Sequence, residues 1–312
     1  MNFAPDSKVL VQGITEPPGL IHAQLMKSYG TNVVAGISPG YGGQKVDGIP
    51  VFDMVEQALP IVGQVETTII FVQPYLALDA ALEAIAAGIQ QIVIITEGIP
   101  PLDMVHLIRI AEATETLVIG PNSPGVILPG KVLLGTHPAE FYAPGPVGLL
   151  SRSSTLTYEV ALQLTQAGLG QSIGIGIGSD TIVGSSFSQW LQTLDEDDNT
   201  EVIVLVGEIG SDSEEVAARY IAEAIDKPVV AYIAGRNAPR GASLVGHASA
   251  LRLWYRDVII PSQAVELGDD VGTAESKLAA FKRAKIPVAE RPSQIPDLVK
   301  KALKPSSKKS SS

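Results

Sequence analysis

Short apolar runs alternate with stretches of helical period along most of this chain, and that alternation predicts the fold. Lys8-Val9-Leu10-Val11-Gln12 reads as a first strand ending in Gly13, with a helix expected over 19–29. Further strands are expected at 33–37, 67–72, 91–95 and 117–119. An Ala/Leu-rich helix over 78–87, capped by Gly88, and a helix over 102–113 separate the later ones. The stretch 128–146 is rich in Pro and Gly, breaks the rhythm, and reads as a linker. The alternation then resumes, with strands at 147–150, 173–177, 202–206 and 228–233. Helices are expected at 155–167, 187–194, Ser213–Ala224 and, last, about 273–284. Strands that are apolar throughout are buried on both faces, so each half predicts a parallel sheet covered by helices. The expected organisation is two doubly wound α/β domains, 1–145 and 146–303, and a Lys/Ser-rich disordered tail, 304–312.

Composition narrows the classes of function. Apolar residues make up 46% of the 312 positions and charged residues 18%, enough core for two domains. A net charge of −11 argues against general nucleic-acid binding, which needs clustered Lys and Arg. With no cysteine, disulfides, thiolate nucleophiles and thiolate metal sites are excluded. Neither a signal peptide nor an apolar run of bilayer length is read, so a soluble cytoplasmic protein without membrane association is the expectation.

Ligands of open parallel sheets bind beyond the carboxyl ends of the strands, which directs attention to the loops there. Gly13-Ile14-Thr15-Glu16-Pro17-Pro18-Gly19 stands where a phosphate loop would be. It is not a GxGxxG, and a plain strand-to-helix turn accounts for it equally well. Ser151-Arg152-Ser153-Ser154-Thr155 opens a helix and is either an anion cradle or ordinary N-capping. Glu208, between Gly207 and the Ile209-Gly210 pair, is either an exposed loop acid or a carboxylate that accepts from an imidazole Nδ1–H. His247, one of four histidines, lies between Gly246 and Ala248. It is either a solvated loop residue or an approachable nucleophile that titrates near neutral pH.

Taken in order, these segments resemble the α subunit of succinyl-CoA synthetase (succinate–CoA ligase). The resemblance covers nearly the whole chain. It is carried by Gln12-Gly13-Ile14-Thr15, Tyr29-Gly30-Thr31, Gly48-Ile49-Pro50-Val51-Phe52 and Ile95-Thr96-Glu97-Gly98-Ile99-Pro100. Ile119-Gly120-Pro121-Asn122, Ser151-Arg152-Ser153, Thr155-Leu156-Thr157-Tyr158-Glu159, Gly207-Glu208-Ile209-Gly210 and Gly246-His247-Ala248 complete it. The resemblance implies a Rossmann-like CoA-binding domain followed by a flavodoxin-like ligase domain. The latter would work with a β subunit whose ATP-grasp site holds ATP or GTP with Mg2+. It implies that His247 carries a phosphoryl group between succinyl phosphate and the nucleotide, that Glu208 orients the imidazole, and that Ser153 and Thr155 cradle the phosphate. It further matches Tyr158 to a substrate position, and Thr15, Ile95, Thr96 and Glu97 to CoA-contacting positions.

The chain departs from that pattern on the CoA side. Thr15-Glu16-Pro17-Pro18-Gly19 replaces Thr-Gly-Ser-Gln-Gly, and Tyr41 replaces a lysine, so weakened CoA binding is expected. Ser154 stands for a glycine at the phosphate helix, and Ser179 for a glycine before Asp180. The segment after His247 is longer than usual and carries Arg252, Trp254, Tyr255 and Arg256. Two functions therefore stand side by side at this point: a working α subunit, or a regulatory or binding subunit that has lost CoA chemistry.

Overall fold

The computed structural model describes residues 3–4, 6–237 and 272–304. Two seven-stranded sheets organise them, and every expected strand occurs, within two residues of its predicted ends except that the one expected at 147–150 starts three residues earlier, at Pro144. The first sheet has the order β3(Lys45–Val46), β4(Ile49–Phe52), β2(Asn32–Ile37), β1(Lys8–Gln12), β5(Thr67–Ile70), β6(Gln91–Ile94), β7(Leu117–Ile119). All of its pairings are parallel except the β3–β4 hairpin. Without that hairpin strand the order is the Rossmann one, and it reverses between β1 and β5. Strand residues alternate between two apolar layers. Val9 and Val11 join one buried cluster, while Leu10, Ile70, Ile92 and Ile94 join another with helices α3(Ala77–Ala86) and α4(Pro101–Ala113).

The second sheet has the order β14(Val288–Ala289), β13(Val229–Ile233), β12(Val202–Gly207), β10(Pro144–Ser151), β11(Gln171–Gly176), β8(Gly125–Leu128), β9(Val132–Gly135). Its five parallel strands follow the flavodoxin order, with the switch between β10 and β12, and helix α6(Phe187–Glu196) connects β11 to β12.

The stretch expected as a linker is part of this sheet. β8 and β9 form an antiparallel hairpin, and β8 pairs antiparallel with β11. Pro and Gly there serve a tight hairpin rather than a flexible connection, and Gly125 and Gly135 lie so close that a Cβ on either would strike backbone. The second sheet thus takes residues well before the boundary expected at 145. The hairpin also wedges against α1(Pro17–Tyr29): Thr31 Oγ1 donates to the Leu133 carbonyl (2.7 Å) and accepts from the Leu133 N–H (3.1 Å).

Elements not expected from the sequence are β3, β4, β14, α2(Val55–Val62) and the helix Ile295–Ala302. Prolines at 50 and 60 obscure two of them, and the others are too short to show a period. The tail 305–312 lies outside the described residues.

Candidate functional site

At the second sheet's switch point the chain leaves β10 and β12 side by side, because Ser151 pairs with Val206. That pairing brings the Ser153 and Glu208 loops together from positions distant in sequence. Ser153 is the N-cap of α5(Ser154–Gln166) but makes no capping bond with its hydroxyl. Its own N–H donates to Ser151 Oγ (3.1 Å), and its carbonyl accepts from Thr157 N (3.0 Å) and Thr157 Oγ1 (2.5 Å). The hydroxyl of Ser153 and the exposed Thr155 therefore stand at a helix N-terminus whose first-turn N–H groups have no intrahelical acceptor. Hydroxyl-bearing residues around such donors suit an anion.

Glu208 is largely buried rather than an exposed loop acid. Burial pushes its carboxyl up to about 7. The Arg152 and Lys277 cations pull it back, and the Glu214 carboxylate adds to the rise. Arg152 is itself buried. Its Nη2 donates to the Asp180 carbonyl (2.7 Å), and its Nε–H has no hydrogen-bond partner among the described residues. Below the loop, helix α7(Ser213–Ala224) starts with two buried acids that surround the ammonium of Lys277 on α8(Ala274–Arg283). Arg152 is named by the sequence motif, but Lys277, Glu214 and Glu215 carry no local signal that they meet.

Tyr158, on α5, is held from the β8–β9 side by Thr136 and by the edge of the His137 ring, whose centroid is 5.9 Å away. Burial pushes the Tyr158 phenol up. His137 is buried between the Gly125 carbonyl (Nε2, 3.0 Å) and Tyr142 Oη (Nδ1, 2.7 Å). A carbonyl can only accept, so Nε2 carries the proton and Nδ1 accepts from the tyrosine. Burial holds this imidazole down at about 4, so it is neutral and structural. His247 lies outside the described residues, as do Arg252, Trp254, Tyr255 and Arg256.

The first sheet's crevice opens beyond β1, β2, β5 and β6. Thr15 Oγ1 is hydrogen-bonded to Ser38 Oγ across the ends of β1 and β2. Glu16 is the N-cap of α1, followed by Pro17 and Pro18. Proline has no N–H, so Gly19 is the only residue of the first three in α1 with a backbone donor. A Cβ on Gly19 would lie 2.1 Å from the Gly13 carbonyl oxygen, which fixes glycine there. Gly40 N and Gly42 N both donate to Asp53 Oδ1 (2.7 and 3.0 Å), so an internal carboxylate takes the donors of that turn. Ile95 and Thr96 are partly buried, with Thr96 Oγ1 donating to the Val72 carbonyl (2.7 Å), and Glu97 is exposed. A Cβ at Gly40, Gly43 or Gly98 would meet nothing within 4 Å, so this edge is open to an approaching ligand. Its anion donors are fewer than a GxGxxG turn would provide.

Asp180, after β11, accepts from Gly98 N (3.1 Å) through Oδ2 and from Asn122 Nδ2 (3.0 Å) through Oδ1, while its carbonyl holds Arg152. One residue thus ties the Ile95–Gly98 edge to the Arg152–Ser153 turn.

The fold is thus a Rossmann-type α/β unit joined to a flavodoxin-type α/β unit, each with its strand ends open to a ligand. Comparison with known families agrees: residues 5–98 match the CoA binding domain and residues 150–255 the CoA-ligase domain. The chain belongs to the succinate–CoA ligase α-subunit family. It is 46% identical over 298 residues to the succinate–CoA ligase [ADP-forming] subunit alpha 2 of Archaeoglobus fulgidus, covering 95% of this chain and 97% of the relative. It is 44% identical to the α subunit of Aquifex aeolicus, covering 96% and 93%. For the Staphylococcus aureus α subunit the identity is 41%, covering 93% and 90%. The fold is shared with the ATP citrate lyase of Methanothrix soehngenii (TM-score 0.79, 22% identity, 96% of this chain). This chain spans about half of that protein, 51%. A Korarchaeum cryptofilum acetyl-coenzyme A synthetase has the same fold (TM-score 0.66, 20% identity, 92% of this chain and 58% of that one).

Proposed function

We propose that this chain is the α subunit of a succinate–CoA ligase that works with a β subunit bearing an ATP-grasp site for nucleotide and Mg2+. The relatives are ADP-forming ligase subunits, which favours ATP over GTP. In this reading an imidazole nitrogen of His247 attacks the terminal phosphorus of ATP, and ADP leaves. A carboxylate oxygen of succinate then takes the phosphoryl group and the imidazole is released. CoA supplies the thiolate that attacks the resulting succinyl phosphate, releasing inorganic phosphate. Glu208, when ionised, accepts the Nδ1–H of His247 and directs Nε2 at phosphorus. Ser153, Thr155 and the N-terminus of α5 receive the phosphoryl oxygens. Tyr158 contributes to the succinate site, and Thr15, Ile95, Thr96 and Glu97 line the CoA crevice. Among the described residues no helix is long and apolar enough to cross a membrane. A cytoplasmic location goes with the reading, since every reactant is water-soluble.

The observation that carries the reading is the convergence of Glu208, Arg152 and the open N-terminus of α5 at one switch point. The test is thioester formation from succinate, CoA and ATP by the chain in verified complex with a β subunit. Product is expected, and its absence from an intact complex overturns the proposal.

A further inference from the structure

Lys277 is fully buried, and all three of its ammonium protons are used. They go to Glu214 Oε2, to Glu215 Oε2 at 3.0 Å and to the Ser211 carbonyl. A buried cluster of one cation and two carboxylates is a poor device for stability alone, because desolvation cancels most of its attraction. This cluster has a second set of contacts, and they all lead to the loop that carries Glu208. Glu214 Oε1 accepts from the Glu208 backbone N–H (3.0 Å). Ser211, whose carbonyl Lys277 holds, closes the same loop. Glu215 Oε1 accepts from Gly272 N (3.0 Å), and Gly272 in turn accepts from Gly210 N (2.8 Å). Position 207 is built for the first of these contacts: a Cβ there would stand 2.5 Å from Glu214 Cγ and 2.8 Å from its Oε1. The two acids also lie in the first turn of α7, where the helix dipole favours negative charge.

We propose that Lys277 is a positioning residue for Glu208, acting through Glu214, Glu215 and Ser211 to fix the height and charge environment of the Glu208 carboxylate. The proposal rests on the reading of Glu208 as the partner of His247. The charged groups facing Glu208 among the described residues are Arg152 from the end of β10, Glu214 from α7 and Lys277 from α8. Lys277 favours ionisation of Glu208 and Glu214 opposes it, so removing each moves its titration in opposite directions.

The experiment measures the initial rate of acid-labile phosphorylation by labelled ATP across pH 5.5–8.5 in the complex with the β subunit. Wild type is compared with Lys277→Met, Lys277→Arg, Glu214→Gln and Glu208→Gln. The acidic limb is expected to rise by about half a pH unit or more in Lys277→Met and to fall by a similar amount in Glu214→Gln. Lys277→Arg is expected to restore the wild-type limb. Should Lys277→Met not fold, Glu214→Gln carries the test. Carbon-13 NMR of the Glu208 carboxyl in the isolated chain reads the same shift without catalysis. Limbs and carboxyl titrations that coincide with wild type, while Glu208→Gln still slows phosphorylation, overturn the role of Lys277. A Glu208→Gln variant with the wild-type rate overturns the reading beneath it instead.

Discussion

Replacing Glu208 with Gln isolates the energetic cost of keeping a carboxylate at this switch point. Burial raises the folded carboxyl from 4.5 to about 7. A difference of about 2.5 units corresponds to about 3 kcal/mol between the two protonation states, and the residue's remaining exposure makes this a ceiling. The sign follows from proton uptake. A folded state that holds its proton more tightly than the unfolded chain is favoured at low pH and loses that advantage as pH rises. Wild type and Glu208→Gln should therefore be equally stable, in this respect, at pH 4.5 and below. Above that the variant gains, until at pH 8 it is the more stable by up to about 3 kcal/mol. Urea unfolding of the isolated chain between pH 4.5 and 8 reads the difference, with contributions common to both proteins cancelling. A difference that stays flat across the range refutes a buried, destabilised Glu208.

Two further substitutions probe the surroundings. His137→Leu should lower stability at pH 7 by about 2–3 kcal/mol, because it strips Tyr142 Oη and the Gly125 carbonyl of partners. The neutral imidazole's contribution is present above pH 6.5 and lost as pH falls through about 4, so the gap between variant and wild type should narrow in melts at pH 5. Constant separation at both pH values contradicts that. Glu16→Gln removes a carboxylate from the N-cap of α1, and should tighten CoA about two- to fivefold in calorimetric titrations at low salt. Unchanged or weaker binding shows that Glu16 does not face the phosphates.

Most of the fold was legible because its strands are apolar on both sides. Val202 to Val206 and Val9 to Val11 can only be central parallel strands, whatever their neighbours. The hairpin β8–β9 was misread because the Pro and Gly residues of a tight antiparallel turn are the same ones that mark a linker. Only its pairing with β11 distinguishes them. At the site, Ser153 and Glu208 were legible as residues at strand ends, where ligands bind. The environment of Glu208 was not. Lys277 is more than sixty positions from Glu214, on a helix whose charged sequence reads as an ordinary solvated face, and only the tertiary fold buries it. The shortage of backbone donors at the CoA crevice was partly visible in Pro17 and Pro18. The capture of Gly40 and Gly42 by Asp53 depends on a turn geometry that spacing does not encode.

The central claim is that His247 carries the phosphoryl group. Incubating the complex with a β subunit and γ-labelled ATP, for wild type and His247→Ala side by side, tests it directly. Acid-labile, base-stable label on this chain in wild type and its complete loss in the variant is the predicted result. Label of the same stability persisting in His247→Ala would contradict it.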